Sequence, residues 1–128
     1  LRSKELVVGI LGEGAQKAYS YRDLADASVV NDTVGGLDLV VTMDSRNFVA
    51  TVFERTLGDA TLTFDRAEET GQMTDRETGS TWDKQTGLAV AGELEGKRLI
   101  RSPFITGFWF GWKDFHPDTE VYEPEPGL

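Results

Sequence analysis

The sequence predicts a mainly β domain, a small barrel or sandwich of short strands, with one C-terminal helix. Three observations carry this. Apolar residues largely alternate with polar ones over several short runs, as in Leu37, Leu39, Val41 and Met43 against Asp38, Val40, Thr42 and Asp44. Gly-, Asn- and Asp-rich turn signals recur about every 8–12 residues, the spacing of small all-β folds. One stretch near the end, Ser102 to Phe115, instead carries large apolar residues at helical spacing.

Taken in order, Glu5 to Leu11 is apolar on both faces and reads as a buried strand. Gly12-Glu13-Gly14 turns it, and Lys17 to Tyr21 supplies its hairpin partner. Tyr21 to Ala27 suits two short helical turns. Asn31 to Gly36 is strong punctuation, because Asn and Asp start turns and Gly35-Gly36 supplies positive φ. The strand from Leu37 follows, Ser45-Arg46-Asn47 breaks it, and Phe48 to Arg55 is the next. Ala60, Leu62 and Phe64 then alternate with Thr61, Thr63 and Asp65 as one half-buried hairpin arm. Leu88, Val90 and Leu94 are placed on one face, and Arg98 to Arg101 is short and extended. In the final stretch Ser102 is expected to cap a helix with Pro103 at its first position. Phe104, Phe108, Trp112 and Phe115 would line its inner face, and Pro117 would end it. Residues 1–123 form one domain on this reading and 124–128 a tail.

Between the strands lies Asp75-Arg76-Glu77-Thr78-Gly79-Ser80-Thr81-Trp82, which packs acids, a base, three hydroxyl residues and a turn glycine beside one large aromatic. The primary expectation is a tight polar turn with Trp82 directed into the core. The alternative is a ligand or hydrolase pocket formed by Asp75, Arg76, Glu77 and Trp82.

Composition narrows the chemistry. The chain has 128 residues, no cysteine, one histidine and a formal net charge of −9. Thiol catalysis, disulfides and zinc-thiolate sites are excluded, and no metal or cofactor is expected. The acidic balance disfavours nucleic acid and anionic membrane surfaces. No apolar run approaches the ~18 residues of a membrane-spanning helix, so direct membrane insertion is not expected. His116 precedes Pro117 at the end of the predicted helix, which suits a cap better than a catalytic triad.

Three segments carry a resemblance: Val30-Asn31-Asp32-Thr33-Val34-Gly35-Gly36, the Asp75 to Trp82 turn, and Trp109-x-x-Trp112 followed by His116-Pro117-Asp118-Thr119. With Ala91-Gly92-x-Leu94-x-Gly96, they resemble a prokaryotic family of unknown function, number thirty-one seventy-nine. The resemblance spans about Val7 to Tyr122. It implies the scaffold and a location outside the cytoplasm, secreted, periplasmic or surface-associated. The chain departs from the family at two places. Asp44-Ser45-Arg46-Asn47 stands where the family has Cys-Pro-x-Cys, and Asp26-Ala27-Ser28 where it often has Trp-His-Glu. Two thiolates and an imidazole would suit a soft metal or redox site, and all three are replaced here.

The predicted function is therefore a non-enzymatic binding or assembly module whose partner is another protein chain or a second copy. Its candidate interface is Phe108, Trp109 and Phe110. On a wheel of ~100° per residue Phe110 lies opposite the Phe108–Trp112 stripe, so it faces outward, with Trp109 at the border.

Overall fold

The structure is a computed structural model and describes residues 1–124. Residues 125–128, most of the predicted tail, lie outside the described residues. Strands β1 (Leu6–Gly12) and β2 (Ala15–Ser20) form a hairpin registered from Val7↔Ser20 to Gly12↔Ala15. Helix α1 (Tyr21–Ala27) starts directly from β2, because the Ser20 hydroxyl accepts the Asp23 amide at 3.0 Å. Strands β3 (Val29–Val34), β4 (Leu37–Asp44) and β5 (Val49–Glu54) make an antiparallel meander. Its first turn is Gly35-Gly36, both at positive φ, as a two-residue hairpin loop requires.

A short ribbon follows, β6 (Thr56–Leu57) with β7 (Ala60–Thr61). Strands β8 (Phe64–Arg66), β9 (Gln72–Asp75), β10 (Thr81–Asp83) and β11 (Ala89–Ala91) form an antiparallel sheet in that spatial sequence. The chain then returns to the first hairpin. Strand β12 (Ile105–Phe108) pairs antiparallel with β1, helix α2 (Trp109–Phe115) follows, and β13 (Glu120–Val121) joins β2 in parallel. The first sheet thus has the order β12-β1-β2-β13.

The layers stack on β4, which is buried on both faces. Leu39, Val41 and Met43 join Val8, Ile10, Tyr19 and Leu24 in one core, between the meander, the first sheet and α1. Val40 and Phe53 point the other way, into a second core with Phe64, Met73, Trp82 and Leu99 under the β8–β11 sheet. On the outer face of the first sheet, Val7 and Ala18 pack beneath Trp112 of α2, with Trp109 beside them. The chain is mainly β, and its sheets do not close into a barrel among the described residues.

The fold corrects several expectations. The two helical turns expected at Tyr21 to Ala27 form as α1, so there are two helices among the described residues. The predicted helix from Ser102 begins only at Trp109. Ser102 instead donates its amide to Val52 O at 2.9 Å, and the chain from Ile105 runs as a strand. β-Branched Ile105 and Thr106 with Gly107 disfavour helix, and pairing with β1 outweighs the aromatic spacing. The predicted inner face therefore breaks up. Trp112 is buried and Phe104 packs on the first core, but Phe108 is half-exposed and Phe115 lies outside. The Ala60–Phe64 arm also divides: Ala60 belongs to the β6–β7 ribbon, whereas Leu62 and Phe64 turn into the second core. In β11 the buried residue is Ala89, and Val90 faces out, opposite to the predicted parity.

Candidate functional site

The central turn joins β9 to β10, and every acidic group in it is engaged internally. The buried Asp75 carboxylate accepts from Trp82 Nε1 at 2.8 Å, from the Thr78 amide at 2.6 Å and from Thr78 Oγ1 at 2.8 Å. Thr78 Oγ1 lies 2.7 Å from Ser80 Oγ, which accepts the Leu94 amide at 2.9 Å. Gly79 takes φ 74°, closing the turn through its amide on Asp75 O. Trp82 is fully buried and meets Phe64 edge-on at 5.8 Å between centroids. Glu77 reaches back, and its Oε1 accepts the Thr63 amide at 2.7 Å. Arg76 makes a bidentate pair with Asp65, both contacts 2.8 Å, at the surface. Thus Asp75 and Trp82 share a hydrogen bond while Arg76 and Glu77 point to other elements.

The second polar centre lies at the end of β4. Lys84 is almost wholly buried and donates to Ser28 Oγ and to Met43 O. Burial pushes its ammonium below the usual lysine pKa, opposed by the nearby Asp44 carboxylate. Ser28 ends α1 at φ 69°, left-handed backbone for a non-glycine residue. Asp44, also buried, accepts both a bidentate Arg46 guanidinium, at 3.0 and 2.7 Å, and Gln85 Nε2 at 2.8 Å. The Arg46 hydrogen bonds hold the Asp44 pKa down to about 2, against its burial. Lys84 and its hydrogen-bond partners thereby tie α1, β4 and β10 together.

A third region is apolar. A groove of about 340 Å³ lies between β12 and α2, lined by Ile105, Gly107 and Phe108 on one side and Gly111, Trp112, Phe115 and His116 on the other, with Val7 as its floor. Two amides at the start of α2 are satisfied by the N-terminal segment: Trp109 N donates to Glu5 O at 2.8 Å and Phe110 N to Ser3 O at 3.0 Å. Trp112 Nε1 donates to Thr119 Oγ1 at 2.8 Å, and the His116 ring packs 4.2 Å from the Trp112 ring, so His116 ends the helix as a packing residue. Phe108 and Phe110 stack on each other at 6.0 Å on the surface, and Trp109 lies at their border beneath Lys113. A Cβ placed on Gly107 or Gly111 meets open space, and neither has positive φ, so packing does not demand glycine at either position.

The segments that carry the resemblance meet in space. Gly92, at φ 96°, lies so close to the central turn that a Cβ there would come within 2.7 Å of Ser80 Cα. Gly92-x-Leu94 is therefore shaped to clasp Asp75–Trp82, and the match to a family model covers residues 1–128. The chain belongs to the family described as protein of unknown function, DUF3179. No curated protein and no solved structure matches it. The end of α1 and the end of β4 are also neighbours: Met43 N donates to Ser28 O at 3.0 Å, and Lys84 bonds both Ser28 and Met43. The Asp44–Arg46 ion pair lies beside that buried lysine. Sequence reasoning missed Lys84, which carries no local signal beyond an isolated lysine after a strand. It also missed the groove, whose two glycines could be read only once β12 was known to be a strand.

Proposed function

We propose that this protein is a binding module that takes a polypeptide partner on the β12–α2 face, outside the cytoplasm. The observation that carries the reading is an uncharged end strand set beside an open apolar groove. β12 pairs only with β1 among the described residues, and its sequence Ile-Thr-Gly-Phe has no charge or proline to discourage strand addition. The other ends of the sheets of three or more strands are protected. β8 carries Asp65 and Arg66, and β13 carries Glu120. The outer side of β11 bonds the turn at Gly96-Lys97, and that of β5 bonds Ile100 and Ser102. Asn31 of β3 is bridged to the Phe64 backbone through both its amide atoms, at 2.8 and 2.9 Å. Strand addition draws affinity from backbone hydrogen bonds and specificity from a side-chain pocket beside the edge, and β12 with the groove supplies both.

Location outside the cytoplasm rests on the resemblance alone. The central turn supports the same reading by contrast, since its carboxylates already have partners. The test is selection from a library of extended peptides, followed by NMR titration of the labelled protein. Binding that shifts the amides of Thr106 to Phe115 and is lost in Gly111→Val supports the proposal. Peptides that instead shift Asp75 to Trp82 would replace it with the pocket reading.

A further inference from the structure

Resting on that reading, we infer that the occupant of the β12 edge is a second copy of this chain, paired antiparallel across a two-fold axis through Thr106. The register of β12 against β1 fixes which groups are free. Trp109 N donates to Glu5 O, so Glu5↔Trp109 is a hydrogen-bonded pair of this antiparallel ladder. Alternation then makes Val7↔Gly107 and Gly9↔Ile105 hydrogen-bonded pairs too, and turns the N–H and C=O of Thr106 and the N–H of Phe108 to the open edge, the Phe108 C=O serving as the N-cap acceptor of α2. Two copies of Thr106 facing each other exchange two N–H···O=C bonds about a two-fold axis normal to the sheet. An eight-stranded sheet results, with both α2 helices on one face.

In that register Ile105 of each copy faces Gly107 of the other, on the α2 side, where Gly107 leaves open space. An exposed branched side chain thus meets the one position of β12 that lacks a side chain. The areas are of the right order. Ile105, Phe108, Phe110 and Phe115 are 50%, 48%, 50% and 84% exposed. At about 150–250 Å² per aromatic side chain this is roughly 450 Å² of apolar surface per copy. A standard interface needs about 800 Å² per partner, and the β12 backbone, Leu6 and Trp109 add to the first figure. Charge does not oppose the contact. The chain is −9 overall, yet residues 1–6 and 105–116 carry Arg2, Lys4 and Lys113 against Glu5 and Asp114. The acidic surfaces stay apart when these two faces meet.

The chain has no cysteine, so single-cysteine variants report the register cleanly. Hydrogen-bonded antiparallel pairs have Cα atoms about 5.5 Å apart, within disulfide reach. Light scattering of the wild type on the order of 100 µM should give twice the chain mass. Thr106→Cys should oxidise to a covalent dimer several-fold faster than Ile105→Cys, and than Ser45→Cys in the exposed β4–β5 loop. Thr106→Pro removes an edge N–H that the chain's own sheet does not use, so it should be monomeric with an unchanged circular dichroism spectrum. A monomeric wild type, or cross-linking of Thr106→Cys no faster than Ser45→Cys, would overturn self-pairing. A monomer that still binds extended peptides at Thr106 and Phe108 would do so while leaving the strand-addition proposal standing. A monomer that binds none would sink both.

Discussion

The central turn and the β12–α2 face are both rich in residues that a sequence reader marks, and they are built in opposite ways. In the turn, Asp75, Thr78, Ser80, Trp82 and Leu94 form one connected hydrogen-bond network around a buried carboxylate. At β12–α2 the outer edge of an end strand, two glycines with open space and three exposed phenylalanines are left uncovered among the described residues. Polar density is spent on internal hydrogen bonds at the turn, and apolar surface stays exposed on the β12–α2 face. Buried polar groups are costly unless paired, which is why a polar cluster inside a small domain is completed internally.

The comparison breaks first at Trp82. Trp82→Ala removes a fully buried aromatic and strips Asp75 of a donor, so it should cost roughly 3–5 kcal/mol. Thermal denaturation should show a large drop, or no folded protein. An unchanged melting temperature with loss of ligand binding would move the function to the turn.

The glycines sharpen it. Gly92→Ala forces a Cβ into left-handed backbone and against Ser80, and should destabilise by about 2 kcal/mol or more. Gly111→Ala sits inside α2 with open space ahead of it, and should stabilise the fold by about 0.5–1 kcal/mol. Denaturant titrations of the two variants, side by side, read the difference in sign.

The smallest effect concerns pH. Asp44 has a folded pKa depressed to about 2 by Arg46, so its contribution is present above the ordinary carboxylate pKa of about 4. Folding stability should fall as pH drops from about 4 towards 2, and Arg46→Ala should flatten that part of the profile. A profile identical in both proteins would show that the pair contributes nothing there.

These contrasts also explain what was legible in the sequence. The meander around Gly35-Gly36, the β1–β2 hairpin and the inward Trp82 could be read because period-two patterning and turn glycines act locally. The start of α2 could not. Phe104, Phe108, Trp112 and Phe115 have helical spacing, but the state of Ile105–Phe108 is decided by β1, nearly a hundred residues earlier in the chain. Phe110 is exposed as expected, but it stacks on Phe108 instead of lying opposite it, because Phe108 belongs to the strand and not to the helix on which the wheel was drawn. Lys84 was invisible for a similar reason. Its partners Ser28 and Met43 come from the C-cap of α1 and from β4, and no spacing around the end of β10 announces them.

Hydrogen exchange of the edge amides tests the central claim most directly. Thr106 and Phe108 point their N–H groups at the open edge, whereas the Gly79 amide is bonded within the central turn. The account predicts that Thr106 and Phe108 gain protection as protein concentration rises, while Gly79 is protected equally at every concentration. Thr106 and Phe108 amides that exchange freely at all concentrations in a folded protein would contradict it.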